Sequence, residues 1–116
     1  MNALAIHPDP KELRELTRSI RAVHPDWKVA PFNDQMLAVK HGFNNQVDVL
    51  YTFVRMRPLD GFAVARMLRE RYPELPVNFI SADEGDRTDA LRFGVNSYTI
   101  SPVTPETLRT AEAEEW

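Results

Sequence analysis

The sequence predicts an α/β architecture, a doubly wound five-stranded parallel sheet with helices on both faces. Short apolar runs alternate with longer stretches of helical periodicity in the rhythm βαβαβαβαβα. One of those runs, Val47 to Val54, is apolar and β-branched nearly throughout, as a strand covered on both faces must be. Turn and capping residues punctuate the runs, with no internal repeat, low-complexity tract or linker. Crossovers between parallel strands are right-handed and carry a helix, so strict alternation leaves few other architectures.

Ala3 to Ile6 is an apolar run ended by His7-Pro8-Asp9-Pro10, where Asp9 can cap a helix and Pro10 suits its first turn. Leu13, Leu16, Ile20 and Val23 then share one helical face, with Glu12, Arg14, Glu15, Arg18 and Arg21 left in water, until His24-Pro25 ends the helix. Trp27 to Phe32 alternates like a strand, and Pro31, unable to donate to a ladder, assigns it to a sheet edge or a strand end. Asn33 or Asp34 caps a second helix carried by Met36, Val39 and Phe43. After the central strand, Val47 to Val54, Asp60-Gly61 opens a third helix with Phe62, Ala65, Leu68 and Tyr72 inward. Pro73 and Pro76 bracket the start of a fourth strand, Val77 to Ile80. A fifth strand near Ser97 to Ile100 and a last helix after Thr104-Pro105 complete the set.

At 116 residues the chain has the size of one domain, residues 1–116, with room for a single core. Hydrophobic residues make up 43% and charged residues 27%, and no apolar run approaches the roughly 20 residues of a membrane span. The start, MNALAIHPDP, lacks the basic, apolar and small-residue regions of a secretory leader, and there is no cysteine, so a cytoplasmic location is expected. The net charge of −3 is mixed in sign along the chain, without the basic stripe that holds a phosphate backbone, so this domain is not expected to bind nucleic acid.

Residues 55–82, RMRPLDGFAVARMLRERYPELPVNFISA, resemble the stretch from third to fourth strand of response-regulator receiver domains. The segment from Ala90 to Tyr98, followed by Ser101-Pro102-Val103, is similar to the family's fourth helix, fifth strand and closing proline-valine. The texture of the fourth helix and of TPETLRTA is closest to receivers that precede a LytTR-type DNA-binding domain. The resemblance covers almost the whole chain. It implies the (βα)5 flavodoxin-like receiver fold with strand order 2-1-3-4-5, a place in two-component signal transduction or transcription regulation, and a possible downstream output domain absent from this chain.

Carried over position by position, the family's chemistry is missing. His7 and Pro8 match the acidic pair that binds magnesium, Phe53 matches the phosphorylated aspartate, and Ser101 matches the lysine before the proline. Phosphoryl transfer to a carboxylate needs that carboxylate, a divalent ion and an opposing cation. Asp9 matches a third acidic position, while Ser81 and Tyr98 match the hydroxyl and aromatic positions that report phosphorylation. The resemblance thus implies a phosphorylation-independent pseudo-receiver with a degenerate pocket of His7, Pro8, Asp9, Phe53, Ser81 and Ser101, a switch-like pair Ser81 and Tyr98, and neither metal nor cofactor.

Each residue also has a plainer reading. Phe53 is a plug in that pocket or simply a core side chain, and His7 reads as a turn histidine, since Asp9 alone is a poor companion for a metal ligand. Asp83, Glu84, Asp86 and Asp89 read as solvated acids favoured by a helix start. Ser81 and Tyr98 are equally a surviving switch or a strand-end hydroxyl and a half-buried ring. The glycines form no G-x-G loop, and there is neither a nucleophile elbow nor a thiol, so no enzyme is expected.

Two functions follow from different classes. One is recognition by protein contact, by a partner or by dimerisation through the last two helices and fifth strand, with Tyr98, Val103 and Leu108 on the associating surface. The other is a small-molecule-sensing domain whose ligand sits at the carboxyl end of the sheet among His7, Pro8, Phe53, Ser81 and Ser101. The Ser101-Pro102 bond is expected to be cis, as the resemblance implies.

Overall fold

Five strands and five helices alternate in the computed structural model, which describes residues 1–114. In chain order they are β1 (Asn2–Ile6), α1 (Pro10–Val23), β2 (Lys28–Phe32), α2 (Gln35–Asn44), β3 (Val49–Phe53), α3 (Gly61–Arg71), β4 (Val77–Ser81), α4 (Arg87–Phe93), β5 (Ser97–Ile100) and α5 (Pro105–Ala113). A single 3-10 turn, Glu84–Asp86, leads into α4. All pairings are parallel and the order is β2-β1-β3-β4-β5, as the resemblance implies.

Caps read from the sequence start the helices. Asp9 accepts from the N–H groups of Lys11 at 2.8 Å and Glu12 at 3.4 Å, Asp34 from Leu37, Asp60 from Ala63, and Thr104 from Thr107. Side chains alternate along each strand, which gives the sheet two cores. Leu4, Ile6, Leu50, Val77, Phe79 and Tyr98 pack under α2, α3 and α4, whereas Ala3, Ala5, Val49, Tyr51 and Ile80 pack under α1 and α5. Fully burying one large apolar side chain contributes about 1.5–3 kcal/mol, so these clusters hold the layers together.

The second helix departs from the sequence expectation. Met36 and Phe43, expected to carry its inner face, are 51% and 42% exposed, and Gln35, Ala38, Val39 and Gly42 face the core instead. Close packing explains the turn of the helix. A Cβ on Gly42 would stand 2.4 Å from Leu68 Cδ2, so α2 meets α3 through a residue without a side chain, and Gln35 is drawn in to donate to the Arg57 carbonyl. The third strand is shorter than expected, although Val47 and Val54 beyond its ends are buried.

The associating surface also needs correction. Tyr98, Val103 and Leu108 are 2%, 6% and 0% exposed, because β5 and α5 turn these apolar groups into the two cores. The Ser101-Pro102 bond is cis as expected, and Arg57-Pro58 is cis as well. Among the described residues no helix is long and apolar enough to cross a membrane.

Candidate functional site

The parallel register brings the carboxyl ends of β1, β3, β4 and β5 side by side, with Phe53 beside Ile80 and Ser81 beside Ile100. Gly61 lets α3 start hard against β3: a Cβ there would lie 2.6 Å from the Phe53 carbonyl oxygen. The pocket residues named from the sequence therefore gather at one end of the sheet, but they fall into two unlike groups.

His7, Phe53 and Ser101 form the first group, on the face under α1 and α5. His7 is 2% exposed and its ring lies 4.3 Å, centroid to centroid, from the half-buried Phe53 ring. The His7 Nδ1 accepts from the Asp9 N–H at 3.1 Å, so the neutral ring carries its proton on Nε2. Burial pushes the imidazole below its ordinary value, against the opposing pull of Glu12 and Asp9. Its Nε2 stands 3.6 Å from Glu12 Oε2, too far for a hydrogen bond. Pro8 is exposed, whereas Asp9, whose carboxylate caps α1, lines the same cleft as His7 and Ser101.

The second group surrounds β4. Ser81 is 1% exposed and its hydroxyl donates to Asp86 Oδ2 at 3.2 Å. Asp86, only 4% exposed, also accepts two bonds from Arg55, at 2.6 and 3.2 Å, the side-on fork geometry that makes arginine–carboxylate pairs strong. Tyr98 points inward and donates to the Asp83 carbonyl at 2.6 Å, with the Arg87 guanidinium 4.8 Å above its ring. Asp86 is not a solvated helix-start acid, then. Its role as the node between Ser81 and Arg55 has no signature in the sequence, because a partner 31 residues away is set by the fold.

A third cluster, at the opposite end of the sheet, was also invisible beforehand. Glu112 on α5 accepts from Tyr51 at 2.8 Å and lies 2.7 Å from His24, whose ring stacks on Trp27 at 3.6 Å. Burial first, and then the neighbouring Glu112 charge, pushes the Tyr51 phenol far up. This ties α5 to the end of α1.

A five-stranded parallel sheet in the order β2-β1-β3-β4-β5, with a hydroxyl and an inward tyrosine at adjacent strand ends, frames this site. The model of the response regulator receiver domain matches residues 4–112, and the chain belongs to that family. It is 32% identical over 111 residues to the cyclic di-GMP phosphodiesterase response regulator RpfG of Xanthomonas campestris pv. campestris, covering 91% of this chain but 29% of that protein. It is 28% identical over 89 residues to a chemotaxis protein CheY homolog of Campylobacter jejuni, covering 66% of this chain and 68% of that one. In fold it is similar to Vibrio cholerae chemotaxis protein CheY4, with TM-score 0.81, 18% identity, and coverage of 94% of this chain and 92% of that one.

The family's magnesium ion does not fit these residues. Magnesium demands oxygen ligands in near-octahedral array. A buried imidazole, an exposed proline and a phenyl ring stand where acids would be, the Asp9 carboxylate serves α1, and Asp86 is taken by Arg55.

Proposed function

We infer that this chain is a receiver domain that works without phosphoryl transfer and signals through protein contacts. One observation carries the reading: the Phe53 ring, at the position matched to the family's nucleophile, packs 4.3 Å from the ring of a buried His7. Ser101, at the position of the opposing lysine, adds no charge. The Ser81–Asp86–Arg55 tie supplies from within the chain what a phosphoryl group would otherwise supply, an acceptor that holds the strand-end hydroxyl. With Tyr98 held inward, the α4–β5–α5 region rests in one state. Its contacts with a partner or a second copy come from exposed residues there, such as Leu91 at 54% exposure, and not from Tyr98, Val103 or Leu108. The domain acts in the cytoplasm as a non-enzymatic input to a transcription or signalling output.

Intact-mass spectrometry after incubation with acetyl phosphate and magnesium tests this. The expected result is an unchanged mass, with no spectral response to beryllofluoride, and an adduct on the wild-type chain overturns the reading. Sedimentation at rising concentration separates self-association from a foreign partner. The second reading, ligand sensing, is favoured by a different observation, the unpartnered polar atoms of His7 and Ser101.

A further inference from the structure

Three buried side-chain atoms have no hydrogen-bond partner among the described residues: His7 Nε2, Thr99 Oγ1 and Ser101 Oγ. Strand alternation puts all three on the sheet face under α1 and α5. A buried polar group left unmet is costly, and natural structures hold few. Two of these atoms belong to residues lining one cleft of about 330 Å3 between the start of α1 and the loop from β5 to α5, whose walls also include Lys11, Glu12, Glu15 and Val103. This cleft takes in His7, Asp9 and Ser101 of the pocket named from the sequence. Ser81, on the far side, is already tied to Asp86.

The chemistry of the walls selects a ligand class. With Nδ1 occupied by the Asp9 N–H, the His7 Nε2–H is a donor that needs an acceptor, and the Ser101 hydroxyl can also donate. Glu15 is paired with Arg18, whereas Glu12 has only the distant His7. Glu12 therefore wants a cation. A simple anion would face the carboxylates of Glu12, Glu15 and Asp9, and a simple cation would leave the two donors unmet. A molecule carrying both charges meets Glu12 as well as the two donors that line the cleft.

We propose that this cleft binds a small zwitterion of the amino-acid type, its ammonium held by Glu12 and its carboxylate by Ser101, His7 and Lys11. Glu12, 40% exposed at its side chain, covers His7 and turns outward to admit the ligand. Val103 and Pro102 wall the cleft and restrict it to small side chains. The proposal deepens the ligand-sensing reading and is independent of whether the chain accepts phosphate.

An amide-resolved NMR titration of the whole chain with glycine and with serine tests it, using methylammonium and acetate as single-charge controls. The expected result is saturable shifts at His7, Glu12 and Ser101, with affinity about tenfold or more above either control. Glu12→Gln and Ser101→Ala each weaken binding about tenfold while the remaining spectrum keeps its dispersion, as loss of a charged or hydroxyl contact requires. The proposal is overturned if neither zwitterion saturates, if a control binds equally well, if the shifts lie elsewhere, or if Glu12→Gln binds like wild type. A negative titration leaves the acetyl phosphate result unaffected, so the two readings fail separately.

Discussion

The two sides of the pocket obey opposite rules. At the ends of β1, β3 and β5 the His7 Nε2 and Ser101 Oγ atoms lack partners among the described residues around an aromatic ring, whereas between β4 and α4 Ser81, Asp86, Arg55 and Tyr98 are all bonded. On the first side an imidazole, a ring and a serine stand at positions matched to the family's charged groups, and on the second Ser81 is tied through Asp86 to Arg55 while Tyr98 is held by the Asp83 carbonyl. Chemistry and read-out are therefore separable in this fold. The first needs charge at several fixed points, while the second needs only a hydroxyl, an inward ring and an acceptor to hold them.

The largest effect expected falls on the apolar side. Phe53→Asp removes a ring shared by both cores and leaves a carboxylate without a cation, which is expected to cost about 2–4 kcal/mol in urea unfolding. It should gain no phosphoryl adduct, since His7, Pro8 and Ser101 are unchanged. A phosphorylated, fully stable variant would erase the contrast between the sides.

On the bonded side, Asp86→Ala strands the Ser81 hydroxyl and releases Arg55, and about 1–3 kcal/mol of stability should go with it. Hydrogen exchange should rise over β4 and α4 in particular. Unchanged exchange there would mean that the tie does not hold the read-out in place.

The pH dependence of stability just below neutrality probes His7. Its native imidazole is held below the ordinary 6.5 by burial, so as pH falls the unfolded chain binds the proton first. The His7 contribution is level above neutral pH and is lost progressively from about pH 6.5 down to the depressed native value. Replacing it, His7→Gln, should flatten that part of the profile, and an identical slope in the variant would show that His7 stays neutral without consequence. The smallest effect belongs to Ser101→Ala and Thr99→Val. With no bond to lose, each should lie within about 0.5 kcal/mol of wild type or be more stable. A loss greater than that would reveal a partner for these hydroxyls.

Much of the fold was legible because its signals are local. The cap at Asp9 acts on Lys11 and Glu12, two and three residues on, and the apolar stripe of α1 repeats at helical spacing, so each can be read without knowing the rest of the chain. The residues at positions 7, 8, 53 and 101 could be matched to the family's pocket by resemblance, since the match depends on residue identity at positions the pattern fixes. The face of α2 was not. Met36 and Phe43 satisfy helical spacing as well as Val39 does, and only the close approach of Gly42 to Leu68 decides which stripe turns inward.

What the sequence determined by itself is the alternation of elements and their caps. Tertiary structure decided which polar residues found partners. Asp86 meets Arg55 across 31 residues, and Glu112 meets Tyr51 across 61 and His24 across 88, separations at which no periodicity survives. Tyr98, Val103 and Leu108 were likewise placed inside by packing. A hydrogen bond depends on distance and angle in space, and for groups so far apart along the chain only the completed sheet and its two helical layers set them.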